Sequence, residues 1–211
     1  MAEGRQMKQD WIVRFGDFVF KHRDTLPVPF IIIAVAVLVL ARPSFTGVGA
    51  RLVLFSMGTL MALSGEAIRV WAVGYSGGTT RSRSLIADRL VTEGPYSIIR
   101  NPLYAGNFLI ALGFSVMANA VIVIPLVVLY FITEYYPIVR REESFLLERF
   151  GSSYREYASA VPRFFPSSFR VKNATYDPRA LKGELWTILG IVLMLAVMFG
   201  IDFVRVGLIK R

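Results

Sequence analysis

Apolar residues gather in five blocks along the chain, with polar residues collected between them. Leu26–Ala41 carries no charge and stops at Arg42-Pro43; it is slightly short for a straight span, and its interfacial neighbours extend it. Leu52–Val73 is the second block and holds Glu66 and Arg69. Leu103–Ala118 and Val121–Thr133 are uncharged and separated only by Asn119-Ala120, which predicts a tight helical hairpin. Pro125 is expected to kink its second arm. Leu185–Ile201 is the last block. Blocks of this kind predict membrane-crossing helices, so the expected fold is all-α, an integral membrane bundle of about five transmembrane helices.

Ahead of the first block, residues 1–25 interleave Arg5, Lys8, Arg14, Lys21 and Arg23 with Trp11, Ile12, Phe15, Phe18, Val19 and Phe20. Phe15, Phe18 and Val19 fall at i, i+3, i+4, which predicts an amphipathic helix lying at the interface. Its length and Asp10, Asp17 and Asp24 do not suit the n-region of a signal peptide, so the following block is read as retained. No internal repeat is evident, and residues 1–211 read as one domain ending in a transmembrane helix over 185–204.

Composition sharpens this picture. Of 211 residues 55% are hydrophobic, and the mean hydropathy is +0.53, too apolar for an ordinary soluble domain. There is no cysteine, which removes disulfides, thiolate metal sites and a cysteine nucleophile. The single histidine, His22, precedes the first block and reads as an interfacial side chain, so metal chemistry is not expected. The net charge of +9 is assigned to loops facing anionic lipid rather than to nucleic-acid binding. Lys and Arg number five in residues 1–25, four in 74–101 and nine in 134–184; the segments of opposite sidedness hold five together. The positive-inside rule therefore places the N-terminus, the central loop and 134–184 in the cytoplasm and the C-terminus outside (the inner membrane, for a bacterial protein).

Within the spans, Glu66 and Arg69 lie three apart on one helical face and can pair. Ionisable residues at membrane depth are functional candidates; near a helix end they also snorkel, and both readings stand. The stretch Thr92–Gly106 is polar, basic and punctuated by Gly94-Pro95 and Asn101-Pro102, whose prolines disfavour helix in the residue before them. It predicts a rigid irregular loop at the mouth of a hydrophobic helix. A helix N-terminus with Pro102 in its first turn explains the prolines. It does not explain the density of Tyr96, Arg100, Asn101 and Tyr104, which points to a binding site. The hairpin brings this loop near Arg140-Arg141-Glu142-Glu143. Glu142 and Glu143 point about 100° apart on a helix, so one can meet a cationic ligand while the other pairs with an arginine. An exposed, self-neutralising helix face is the plainer reading of such a run.

Gly94-Pro95-Tyr96, Arg100-Asn101-Pro102-Leu103-Tyr104-Ala105-Gly106 resembles the G-x-Y-x-x-x-R-H-P-x-Y-x-G signature of isoprenylcysteine carboxyl methyltransferases and related phospholipid methyltransferases. Arg140–Glu143 resembles their R-x-E-E element, and Phe150-Gly151, Tyr154, Tyr157, Val161-Pro162 their F-G-x-x-Y-x-x-Y-x-x-x-V-P ending. The likeness covers a core of residues 85–166. It implies a membrane methyltransferase with a cytoplasm-facing pocket for S-adenosyl-L-methionine and no Rossmann domain. Gly47-Val48-Gly49 lacks the third glycine of a dinucleotide fingerprint. By position, the resemblance assigns cofactor contacts to Asp88, Arg89, Leu90, Val91, Tyr96, Asn101, Pro102, Leu103, Tyr104 and Glu142; Arg100, Arg141 and Glu143 are the catalytic candidates. Asn101 stands where the family has histidine; it keeps a donor and an acceptor and cannot titrate. The implied acceptor is a lipophilic or lipid-modified molecule entering from the bilayer, its carboxylate held by Arg100 or Arg141. N-methylation of a phosphatidylethanolamine-type lipid is the alternative. An NADPH-dependent sterol-type reductase and a non-catalytic membrane protein are two further classes.

The two polar segments must share a side. Single cysteines, Ser82→Cys and Ser153→Cys, are both expected to resist an impermeant thiol reagent on intact cells and to react after lysis. Labelling of either from outside would separate the halves of the site.

Overall fold

The computed structural model describes residues 11, 14–22, 25–40, 43–76, 87–172 and 175–209. The basic start of the N-terminal segment, Arg42 and the stretch 77–86 with Ser82 lie outside them. The described chain forms α1 (residues 14–21), α2 (Pro27–Leu40), α3 (Val48–Ser76), α4 (Pro102–Met117), α5 (Val123–Tyr130), α6 (Tyr136–Phe150), α7 (Ser152–Ala160) and α8 (Leu181–Ile209). A π-helical turn, Phe131–Tyr135, joins α5 to α6, and 3-10 turns occur at Pro95–Ser97 and Pro178–Ala180. Among the described residues there is no strand; Gly94 and Lys172 form an isolated bridge. The fold is all-α, as the apolar blocks predict, and the chain is an integral membrane protein. Val48–Ser76, Val123–Phe150 and Lys182–Ile201 are long and apolar enough to cross a bilayer. At 14 and 16 residues, α2 and α4 are shorter.

The close contact of the bundle is between α3 and α4. They run antiparallel, Gly58 against Gly113 and Gly65 against Gly106, the two glycines of each helix spaced seven positions apart. A Cβ on Gly65 would stand 2.6 Å from the Gly106 carbonyl oxygen; one on Gly113 would stand 2.5 Å from that of Gly58. A seven-residue repeat keeps one seam facing the partner over two turns. In lipid, where burying apolar surface drives little association, close backbone approach supplies the dispersion attraction instead. Antiparallel α8 flanks this pair, with Phe199 edge-on to Phe55 and Met198 packed with Ala118, Ala120 and Val123.

The α4–α5 turn is tied to the α2–α3 loop. Asn119 adopts φ +50°, a conformation asparagine tolerates better than most residues. Its side chain accepts from the Phe45 N–H at 3.1 Å and donates to the Phe45 carbonyl at 2.7 Å, while Ser44 N–H donates to the Asn119 carbonyl at 2.8 Å. Backbone groups of both connections are thus satisfied by protein, as the bilayer requires.

Two expectations need correction here. Pro125 does not kink α5; it lies in the first turn, where a missing N–H has no intrahelical acceptor to lose. Nor does that arm end at Thr133: the helix continues through the π turn into α6. The cause is Pro137, which cannot donate to Thr133 and whose ring crowds that carbonyl. The ladder widens, and the Tyr136 N–H reaches the Phe131 carbonyl five residues back. Arg140–Glu143 therefore stand on the direct continuation of a membrane helix.

The N-terminal helix leans on this continuation. Gly16 meets Pro137 and Arg141, Val19 is buried, and Asp17 pairs with Arg141. The exposed rings of Trp11, Phe15 and Phe18 line up along it, as an interfacial helix requires.

Gly65→Ala is expected to destabilise the protein in detergent by about 1–3 kcal/mol, because its methyl group meets backbone that cannot step aside. Gly190→Ala on α8, with nothing within 4 Å of the added carbon, is expected to be neutral or stabilising. Equal thermal unfolding of the two variants would remove the seam as a determinant of the fold.

Candidate functional site

The loop before α4 is built on Gly94. It sits at φ +57° with the Tyr75 ring against it, so a side chain there would be both strained and crowded. Ser97 Oγ donates to the Gly94 carbonyl at 2.7 Å and accepts from the Lys172 N–H at 3.0 Å; the Gly94 N–H donates to the Lys172 carbonyl at 2.8 Å. Residues 170–172 thus strap the loop from outside. From inside, the Tyr157 hydroxyl donates to the Tyr96 carbonyl at 2.8 Å.

Glu143 is the centre of an ionic knot. Arg163 binds it through two nitrogens, Nε at 3.0 Å and Nη2 at 2.6 Å, and Arg100 Nε binds it at 3.0 Å. Arg100 also donates to the carbonyls of Ala158 and Val161, and its own N–H donates to the Pro162 carbonyl at 2.8 Å. The Asn101 amide faces the same carboxylate at 3.5 Å and donates to the Arg163 carbonyl at 3.3 Å. Three stretches distant in sequence meet here: 100–101, Glu143 and 158–163. The carboxylate also raises the already high pKa of Arg163, chiefly by accepting its hydrogen bonds.

Glu142 faces elsewhere. The Tyr104 hydroxyl donates to its Oε1 at 2.6 Å, and the Tyr104 ring lies edge-on to Tyr135 at 5.3 Å. Tyr96 lies in the electrostatic field of Glu142; burial raises its phenol pKa above the ordinary value, which keeps it neutral. The adjacent acids thus divide as helix geometry predicts, Glu143 to arginines and Glu142 to the aromatic side.

The other sequence candidates spread out. Arg141 reaches Asp17 on α1 and does not join the Glu143 knot. Pro102 is buried at the start of α4, and Leu103 is half-buried beside it. Asp88 is exposed; Arg89 bonds Glu93 at 3.2 Å and the Tyr75 carbonyl at 3.0 Å; Leu90 and Val91 are half-buried. No hydrogen bond among the described residues ties Asp88–Val91 to Glu142.

Deeper in the bundle lies a second ionic group. Arg69 Nη2 bonds Glu184 Oε2 at 2.8 Å, its Nε stands 3.4 Å from Glu66, and its other nitrogen donates to Asn107. Glu184 is 1% exposed and Glu66 7%, so these residues turn inward rather than snorkel. The pairing of Glu66 with Arg69 follows from their spacing. Asn107, the one amide inside an otherwise apolar run, and Glu184, in the first turn of α8, were missed. So was Arg163, whose Val-Pro-Arg context gave no sign of an ion pair.

Glu143→Gln leaves two guanidinium groups around a neutral amide. A destabilisation toward the lower end of about 3–5 kcal/mol is expected, since Arg163 keeps 27% side-chain exposure. Thermal unfolding in detergent measures it; a variant as stable as the parent would mean that the knot does not hold the loop.

The profile of the phospholipid methyltransferase family matches residues 50–153, which contain the glycine seam, the Gly94–Tyr104 loop and Glu142–Glu143. The chain is 30% identical over 150 residues to the cobalt-zinc-cadmium resistance protein CzcN of Cupriavidus metallidurans, covering 71% of this chain and 66% of that one. It is 36% identical over 122 residues to the nickel-cobalt-cadmium resistance protein NccN of Alcaligenes xylosoxydans xylosoxydans, covering 57% and 52%. To protein-S-isoprenylcysteine O-methyltransferase B of Arabidopsis thaliana it is 35% identical over 118 residues, covering 53% and 58%. The matched stretches span about half to two-thirds of the length of these relatives. No solved structure matches the chain. With the signature loop and the paired acids set together at the end of a membrane helix, the chain belongs to the isoprenylcysteine carboxyl methyltransferase and phospholipid methyltransferase family.

Proposed function

We propose that the protein is an integral membrane methyltransferase that moves a methyl group from S-adenosyl-L-methionine to the carboxylate of an isoprenylcysteine-like or other lipid-like acceptor. The observation that carries this reading is Glu142, held by the Tyr104 hydroxyl at 2.6 Å where a membrane helix meets the polar loop. A carboxylate among tyrosine rings suits a ligand that carries sulfonium and ammonium charges. Bound there, S-adenosyl-L-methionine would supply an electrophilic methyl group activated by its own sulfonium charge.

The chain's own residues then have defined tasks. Glu142 accepts hydrogen bonds from the ammonium or ribose hydroxyls, and Tyr96 and Tyr104 pack against the adenine or sulfonium. Pro102 and Leu103 shape the pocket rim, and Asp88, Arg89, Leu90 and Val91 offer mostly backbone contacts. Asn101, Arg100 and Glu143 act on the same chemistry by fixing the loop: with Arg100 and Glu143 committed to each other, they align rather than transfer protons. A carboxylate acceptor is already a nucleophile and needs no base. A helix continuous from the span to Glu142 suits an acceptor arriving from the bilayer at a site on the cytoplasmic side.

Glu134 favours a second reading, N-methylation of a phosphatidylethanolamine-type lipid. This carboxylate on the π turn is 4% exposed, and its Oε2 has no hydrogen-bond donor among the described residues. In that reading it is the base that takes the proton an amine acceptor must lose.

Glu142→Gln is expected to weaken S-adenosylhomocysteine binding about ten- to a hundred-fold while the protein stays folded in detergent, the worth of a charge-assisted hydrogen bond. Thermal shift with S-adenosylhomocysteine and with NADPH measures this, and stabilisation by the first alone is expected. Unchanged binding in the variant removes Glu142 from the site; stabilisation by NADPH alone overturns the methyltransferase reading. Turnover of phosphatidylethanolamine but not of prenylated-thiol carboxylates or fatty acids would select the second reading.

A further inference from the structure

The charges around Tyr154 do not balance. Three guanidinium groups, Arg100, Arg140 and Arg163, and one carboxylate, Glu143, lie within electrostatic reach of its phenol. Glu143 spends both oxygens on Arg100 and Arg163. Arg140, one turn earlier on the same face of α6, is left without a counter-charge among the described residues. Its Nε is buried and meets no acceptor. The Tyr154 hydroxyl, on a residue only 4% exposed, meets none either.

Buried donors of native proteins are almost always paired, so two orphans in one cluster need an explanation. Both are donors and the cluster is net positive, which calls for an anion with several acceptor oxygens. The place is not the Glu142 pocket. Arg140 and Glu142 are two residues apart, about 200° around a helix, so they face opposite ways. On the span that leads up to Arg140, Leu129, Ile132 and Tyr136 are exposed. Arg163 lies over the Tyr136 ring at 5.9 Å. A cationic end above an exposed apolar strip matches an amphiphile with its chain in the bilayer.

We propose that Arg140 and Tyr154 form a binding site for the phosphate of an anionic phospholipid, separate from the methyl-transfer pocket. The lipid phosphate accepts from Arg140 Nε and the Tyr154 hydroxyl, and Arg163 adds long-range attraction. Its acyl chain lies along Leu129, Ile132 and Tyr136.

The test uses the full chain in an uncharged detergent, followed by thermal unfolding and native mass spectrometry. Dioleoylphosphatidylglycerol is expected to raise the unfolding temperature; dioleoylphosphatidylcholine is not. Tyr154→Phe and Arg140→Gln are each expected to weaken the phosphatidylglycerol response about ten-fold or more. Arg155→Gln, which removes an exposed charge elsewhere on α7, is expected to leave it intact. Tyr154→Phe deletes only a hydroxyl without a partner, so without lipid it is expected to be at least as stable as the parent. This arm stands even where Arg140→Gln fails to fold. Binding of S-adenosylhomocysteine is expected to be the same in Tyr154→Phe and the parent, which keeps the test independent of the methyltransferase reading. An equal response to phosphatidylcholine, or a parental response in Tyr154→Phe, would overturn the site. The full shift with inorganic phosphate alone would show a free-anion site and overturn the lipid assignment.

Discussion

One carboxylate between two guanidinium groups sets the shape of the polar half of this protein. Glu143 stands where a membrane helix leaves the apolar zone. Arg100 reaches it from the loop before α4, and Arg163 from the end of α7. Ion pairs on a surface hold little, because water competes for every partner. Here both glutamate and Arg100 are largely shielded, and Arg100 Nη1 donates to two backbone carbonyls. The pair therefore acts less as an attraction than as a geometric lock: removing either sign leaves the other buried and uncompensated. Asn101, whose amide faces Glu143 and donates to the Arg163 carbonyl, is held by it directly.

Adjacent acidic residues on α6 have consequently opposite characters. Glu143 is saturated by arginines and has little left for a ligand. Glu142 is turned away from them, toward Tyr104 and the Tyr135 ring beside it. Because α6 is continuous with the span below it, the orientation of both acids is fixed by how α5 packs in the membrane. The π turn before Pro137 sets the angle at which they emerge.

Much of this was legible in the chain. The apolar blocks marked apolar helices among the described residues, and Gly94-Pro95 and Asn101-Pro102 marked the irregular loop, because glycine and proline act on the backbone locally. The separation of Glu142 from Glu143 followed from helix geometry alone. What was not legible depends on partners distant in sequence. Arg163 looked like one more basic residue in a basic segment until folding set it beside Glu143. Glu184 falls at the end of the polar segment 134–184, yet it is among the least exposed residues described, because α8 begins earlier than its apolar run and carries the acid in to meet Arg69. Pro125 and Pro137 have the same covalent chemistry and opposite consequences. The first falls where helical N–H groups are unpaired in any case; the second falls mid-helix and reshapes the turn before it.

The glycine seam also decides where molecules from the bilayer can go. With Gly58 on Gly113 and Gly65 on Gly106, the backbones of α3 and α4 approach closely, and Met117 and Ile110 fill the space beside the glycines. Such a contact has no room for an acyl or prenyl chain and cannot part without losing its whole attraction at once. It makes the α3–α4 seam a wall to molecules in the bilayer.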